Sequence, residues 1–148
     1  MTTLVIGATG NVGRPTVAGL IAKGESVRAL SRSEDNLAKL PEGVEGVVGD
    51  LETGAALDAA FVGVDKLFLI TSNGETETAR GLNAVKAATD AGVKHIVFLS
   101  VGNPNKEPAI PHYLAKLPIE AAIRESGADF TFLRCNLFMQ NDLSIIPV

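Results

Sequence analysis

The chain has 148 residues, 46% of them hydrophobic, with 15 glycines, 7 prolines and no tryptophan, the profile of one folded domain, which excludes two generous domains and intrinsic disorder. Lys+Arg total 13 against 17 Asp+Glu, a formal net charge of −4, which gives no footprint for nucleic acid or an anionic membrane surface. The lone cysteine, Cys135, excludes an internal disulfide framework and a Cys-rich zinc site and suits a reducing cytosol, so a cytoplasmic setting is expected.

Leu4-Val5-Ile6 is a short continuous apolar run, as a strand buried on both faces requires. Gly7 follows, then a helical stripe of Val17, Leu20 and Ile21 closed by Gly24. A second strand is expected over Ser26 to Ser31. A helix-like segment opens at Ser33, with Glu34-Asp35-Asn36 in its first turn, and stops before Pro41. Val44 to Gly49 reads as a third strand, and Thr53 to Phe61 as a small Ala-rich helix. Leu67 to Ile70 is the fourth strand. A helix from about Glu75 to Ala91 carries Ala79, Leu82, Val85 and Ala88 at a three-residue step, with Gly92 as its stop. His95 to Leu99 is the fifth strand, a polar loop spans Gly102 to Pro111, a helix runs on to Ser126, and Phe130 to Leu133 is the sixth strand.

Strands that alternate with helices imply right-handed parallel crossovers. The expectation is a Rossmann-type, doubly wound α/β sheet of about six strands with helices on both faces, one domain over residues 1–148. No apolar run reaches the roughly 20 residues of a bilayer span, and the N-terminus has no basic segment, so no secretory signal is expected.

Gly7-Ala8-Thr9-Gly10-Asn11-Val12-Gly13 stands between the first strand and the first helix. An early glycine allows a tight turn, a middle one lets backbone N–H groups approach a pyrophosphate, and the last lets helix pack on strand. The helix N-terminus then offers unpaired donors and a positive dipole end to phosphate. Pro15 in the first turn costs little, since an N–H there has no intrahelical acceptor. A turn that uses glycine for geometry alone remains the alternative. NAD sites usually carry an acid at the tip of the second strand. Here the tip is Leu30-Ser31-Arg32-Ser33, where Arg32 can pair with a 2′-phosphate and Ser31 or Ser33 can add a hydroxyl; NADP(H) is therefore favoured over NAD(H). Arg28 points elsewhere by the two-residue alternation of a strand. Asp50 and Leu51 sit where the chain can flank an adenine ring, and Thr71-Ser72-Asn73 lies above the sheet edge where ligands bind.

The sequence resembles the NmrA-like and NAD(P)H:quinone oxidoreductase branch of the atypical short-chain dehydrogenase/reductase family. The likeness rests on the glycine turn, Val27-Arg28-Ala29-Leu30-Ser31-Arg32, Gly49-Asp50, His112-x-x-x-Lys116, Ile119-Glu120, Ser126 to Arg134, and Phe138 to Asn141. It implies an NADP(H)-binding domain with Arg32 at the 2′-phosphate and Lys116 near the nicotinamide ribose. It also implies reductase activity toward quinones or related carbonyl and enone compounds. Family members continue past the sixth strand into a smaller substrate-binding portion, of which a chain ending at Val148 is expected to hold little. Cys135 replaces the proline that commonly follows the Leu-Arg pair.

Short-chain dehydrogenases place a Tyr four residues before a Lys. Here His112 holds that position before Lys116, and Tyr113 lies three before it; both spacings put the side chains on one helix face. His112, Tyr113 and Lys116 are the catalytic candidates, Lys116 as a cofactor-positioning cation and His112 as a proton donor. Ser100, at the end of the fifth strand, is the matching serine. His95 reads as structural, Cys135 as a small buried hydrophobe, and no metal site is expected. Three readings stay open: an NADP(H)-dependent reductase, a non-catalytic NADP(H)-binding redox sensor or regulatory module, and a truncated, inactive reductase. The expected partners are a small quinone or carbonyl compound and no nucleic acid or membrane, and the resemblance implies a homodimer face on the Glu75 and Pro111 helices.

Overall fold

The first strand sets the pattern for the sheet. Along β1 (Thr2–Ile6), Leu4 and Ile6 join one apolar cluster while Val5 joins another, so successive side chains feed opposite faces. The computed structural model describes residues 1–102, 110–136 and 138–140. The other elements are α1 (Gly13–Ala22), β2 (Ser26–Ser31), α2 (Glu34–Leu37), β3 (Val44–Val48), α3 (Leu57–Phe61), β4 (Lys66–Leu69), α4 (Glu77–Asp90), β5 (His95–Val101), α5 (Pro111–Glu125) and β6 (Asp129–Cys135).

The strands form one six-stranded sheet in the order β3-β2-β1-β4-β5-β6, and every neighbouring pair runs parallel. The expected Rossmann-type sheet is thus observed. Its order reverses between β1 and β4, which opens a crevice at the carboxyl ends of these two strands. On one face Val17 of α1 packs with Val5, Val27 and Ala29, with Leu37 against them. On the other, Phe61, Val85, Ile119 and Ile123 from α3, α4 and α5 pack on Leu4, Leu67, Ile96 and Phe98. Each such side chain, fully removed from water, stabilises the fold by about 1.5–3 kcal/mol.

The expected punctuation is present. Ser33 caps α2 by accepting from the Asn36 N–H, and Gly24, Gly92 and Gly127 follow their helices with φ of +75°, +70° and +79°. Arg28 faces α3, where its guanidinium donates to the carbonyls of Ala60 and Val62 and pairs with Glu45 at 2.9 Å.

Two expectations are corrected. The helix expected from Thr53 begins only at Leu57, after Gly54 at φ +77° and Ala56 at φ +59°. Asp50 and Thr53 hold this segment in turns, their side chains accepting from the N–H groups of Glu52 and Ala55, a local pairing that competes with helix. On α4 the buried face is Glu77, Gly81, Ala84, Val85 and Ala88, while Ala79 and Leu82 are exposed. Gly81 joins this face because α5 crosses so close that a Cβ there would lie 2.3 Å from Ile119 Cδ1. Most of the loop expected over Gly102 to Pro111, and Asn141 of the family-like stretch, lie outside the described residues.

A buried carboxylate joins α5 to the sheet. Glu120, 1% exposed, accepts from Ser100 Oγ at 2.6 Å, from Arg134 at 2.6 and 3.1 Å, and from Arg124 at 2.9 Å. Burial works to raise its proton affinity, but the Arg134, Ser100 and Arg124 donors prevail and hold the carboxyl below its ordinary value of 4.5. Below that value the unfolded chain therefore binds more protons than the folded one. The stabilisation is present above the ordinary carboxylate range and is lost as pH falls through the folded-state value. Glu120→Gln should cost roughly 2 kcal/mol at pH 7 and flatten the acid limb of a urea-unfolding series. A wild-type acid limb in the variant would show that Glu120 does not carry this dependence.

Candidate functional site

The β1–α1 turn is built by steric necessity. Gly7 has φ +83° and Gly10 donates its N–H back to the Gly7 carbonyl at 3.1 Å. A Cβ on Gly13 would sit 2.0 Å from the Gly7 oxygen, so only glycine lets α1 start this close to β1. No side chain caps α1 at Val12 and no acid stands in its first turn, which leaves the helix N-terminus to an anion from outside the chain.

Two cavities flank this turn. The first, about 360 Å³, is lined by Thr9, Ser31, Arg32, Asp50, Leu51 and Ser72, together with Leu30, Asn36 and Arg80. The second, about 440 Å³, is lined by Asn11, Val12, Gly13, Asn73, His112, Tyr113 and Lys116, with Leu99, Ser100 and Cys135 on its far side. Gly7, Gly10, Ile70 and Thr71 belong to both. The pair, joined through these shared residues, makes one groove that crosses the sheet edge at the switch between β1 and β4. Each residue singled out as a catalytic or cofactor-binding candidate in the sequence borders one of the two cavities.

Under the second cavity lies a buried polar cluster. Glu77, fully buried in the first turn of α4, accepts from Thr71 Oγ1 at 2.7 Å and from Lys116 Nζ at 2.7 Å on one oxygen, and faces His112 Nδ1 at 2.8 Å with the other. Lys116 also donates to Thr71 Oγ1 at 2.7 Å and lies 5.1 Å from the centre of the Phe98 ring. Burial holds its ammonium below the ordinary lysine value of 10.5, with the Glu77 carboxylate opposing the shift. His112 and Lys116 are one helical turn apart on α5, as their spacing requires. Tyr113 meets the His112 ring edge-on, with centroids 6.0 Å apart. Ser100 borders the cavity, but its hydroxyl is committed to Glu120.

The sequence reading missed three lining or supporting groups. Arg80 reaches the first cavity from α4, its guanidinium held by Glu52 at 2.6 and 3.0 Å and by Ser72 Oγ at 2.9 Å. Asn36 enters from α2, and Glu77 stands behind Lys116 and His112. An acid in the first turn of a helix is usually taken as a dipole partner in solvent, so nothing local marked Glu77 as buried.

A dinucleotide fits these residues. The cradle excludes a Cβ at Gly13, each cavity is of nucleotide size, and the uncapped helix end borders the second. Arg32 at one end and Lys116 with His112 at the other would hold the two nucleoside halves.

Comparison with known proteins agrees with the fold. The chain matches the model of the NmrA-like family over residues 1–148. It is 44% identical over 147 residues to the (4-alkanoyl-5-oxo-2,5-dihydrofuran-3-yl)methyl phosphate reductase of Streptomyces griseus subsp. griseus, a match covering 97% of this chain and 50% of that protein. Among solved structures, Citrobacter sp. triphenylmethane reductase complexed with NADP(H) superposes with a TM-score of 0.87 at 32% identity, over 96% of this chain and 52% of the other. The NADPH-dependent quinone oxidoreductase of Escherichia coli, complexed with NADPH, gives 0.87 at 27% identity, over 96% and 51%. The chain thus spans about half the length of the proteins it matches. Among the described residues, no helix is long and apolar enough to cross a membrane.

Proposed function

The chain belongs to the NmrA-like family, and from that premise we propose that it binds NADP(H), in preference to NAD(H), along the two-part groove and orients it for reduction of a quinone or a related carbonyl or enone compound. The observation that carries this reading is the continuity of the groove over the glycine turn, with a cation, Arg32, in one cavity and the Lys116–His112 pair in the other. The NADP(H) and NADPH complexes of the two structural neighbours support it.

In the first cavity Arg32 and Ser31 would hold the 2′-phosphate, and Asp50 and Leu51 would flank the base. The turn from Gly7 to Gly13 would hold the pyrophosphate, and the second cavity, with Thr71 and Lys116 in its lining, would take the nicotinamide half. NADPH, when bound, supplies a hydride, and the chain's own part is to position and to handle the proton. Lys116, held by Glu77 and Thr71, is a fixed cation at the nicotinamide ribose. His112 as imidazolium gives a proton from Nε2 to the substrate oxygen as hydride reaches the substrate, so one hydride and one proton together complete a two-electron reduction. A second reading, a binding module without turnover, is favoured by one observation: Ser100, the serine that would complete a Ser-Tyr-Lys set, is tied to Glu120.

Fluorescence titration with NADPH and NADH, followed by an oxidation assay with a small quinone, separates the readings. Tight NADPH binding with turnover is expected; binding without turnover favours the second reading, and no binding of either nucleotide overturns both. Arg32→Ala should weaken NADPH binding about 10- to 100-fold, the worth of a charge-assisted contact, with NADH affinity unchanged. An unchanged NADPH affinity would remove Arg32 from the 2′-phosphate.

A further inference from the structure

The buried acid of α4 lines neither cavity, yet it touches two of the three polar residues that α5 presents to the second one. Glu77 is 0% exposed, while His112 and Lys116 reach it from the facing helix across 35 and 39 positions of sequence. We propose that Glu77 is the positioning residue of this site: its carboxylate fixes the His112 imidazole with Nδ1 protonated and so keeps Nε2, on the opposite edge of the ring, as the nitrogen that exchanges a proton with a substrate. The inference rests on the placement of His112 proposed above and adds the device that sets its orientation and tautomer.

The hydrogen-bond inventory carries the argument. A carboxylate has only acceptors. Thr71 and Lys116 donate to its Oε1, so the Nδ1 nitrogen 2.8 Å from Oε2 must carry a hydrogen to make the third bond. The neutral ring is then unprotonated at Nε2, and the imidazolium carries its transferable proton there. After that proton leaves, the ring is already in the tautomer the carboxylate holds, so no ring flip is needed before the next protonation. On its own helix the ring meets Tyr113 edge-on, while Lys116 and Thr71 bond to the same carboxylate. Neither Thr71 nor Lys116 competes for Nδ1, since both donate to Oε1 instead. The position of Glu77 in the first turn of the 14-residue α4 adds the favourable end of a helix dipole. An acid that sets a histidine's tautomer through the nitrogen away from the reaction is a general way to direct the other nitrogen.

The chain has only two histidines, His95 and His112, so the tautomer can be read directly. Long-range proton–nitrogen NMR on the uniformly ¹⁵N-labelled chain, at a pH of about 8.5 where an ordinary histidine is neutral, with His95→Asn to assign the rings, is the test. His112 is expected as the Nδ1–H tautomer. In Glu77→Gln the single amide oxygen stays with the Lys116 ammonium, the amide NH₂ turns to the ring, and Nδ1 becomes an acceptor. The spectrum should therefore switch to the Nε2–H tautomer, an exchange of nitrogen shifts that a merely structural role for Glu77 would not produce. A wild-type His112 protonated at Nε2, or a tautomer unchanged in a folded Glu77→Gln, overturns the proposal. The wild-type spectrum decides the matter alone if the variant does not fold. No nucleotide is present in this measurement, so its failure is distinct from a failure of NADPH to bind in the titration.

Discussion

Gly13→Ala is expected to abolish detectable NADPH binding and to destabilise the fold by about 3 kcal/mol or more. The added methyl would lie 2.0 Å from the Gly7 carbonyl oxygen, 2.7 Å from the Gly7 carbonyl carbon and 2.7 Å from Ala8 Cα. All three are backbone atoms, so no side-chain rotation relieves the overlap. The helix must instead move off β1, and that movement pulls Val17 out of the cluster it makes with Val5, Val27 and Ala29. The same movement spreads the turn from Gly7 to Gly13 and turns the N-terminal donors of α1 away from the groove. With a urea slope of about 2 kcal/mol per molar, the unfolding midpoint should drop by roughly 1.5 M. Gly19→Ala is the matched control in the same helix, since nothing lies within 4 Å of its added Cβ and its φ is not positive. There the change should be neutral or stabilising by about 0.5–1 kcal/mol. A Gly13→Ala protein with wild-type midpoint and wild-type NADPH affinity would refute the steric account of the turn.

The contrast between those two glycines shows what a sequence can and cannot disclose. The step of three through Gly7, Gly10 and Gly13 was legible because it stands directly after an apolar strand, and the need for close approach follows from that context. The doubly wound architecture was legible for a similar reason: Leu4-Val5-Ile6 and the later apolar runs are too continuous for one-sided burial, so helices must lie on both faces. The start of α3 was not legible, because alanines at 55 and 56 favour helix while Gly54 and the side chains of Asp50 and Thr53 decide against it. The buried face of α4 was misread for a different reason. Leu82 is the more apolar residue, but the approach of α5 is set by the smallness of Gly81 against Ile119, a fact of packing between distant segments.

The candidate site divides along the same line. Arg32, His112 and Lys116 could be selected because each stands at a fixed offset from a recognisable turn or from one another. Glu77 and Arg80 could not, because their roles depend on a crossing of α4 with α5 and on the turn after β3. Arg80 is held by Glu52, whose carboxyl the guanidinium keeps below its ordinary value. Arg80, so held, lines the first cavity through a pairing that no local motif marks.

Lys116→Met is expected to have the second large effect, and its size follows from the burial of its partner. Lys116 is 3% exposed and Glu77 0%, so removing the ammonium leaves a carboxylate that water cannot reach, with only Thr71 and His112 to satisfy it. Breaking a buried pair from one side typically costs about 3–5 kcal/mol. Methionine keeps the length and apolar stem of the side chain, so a lost cavity does not explain the cost. Removing the charge of the acid as well, in Glu77→Gln with Lys116→Met, should recover about 2 kcal/mol of that loss, because the uncompensated group is then neutral. Function should not follow stability in this cycle. The double variant still lacks the cation proposed for the nicotinamide end of the groove, so any turnover should remain as low as in Lys116→Met while the urea midpoint returns toward that of the wild type. Additive stability changes in the cycle would show that the two charges do not stabilise one another, and a double variant with restored turnover would take Lys116 out of the reaction.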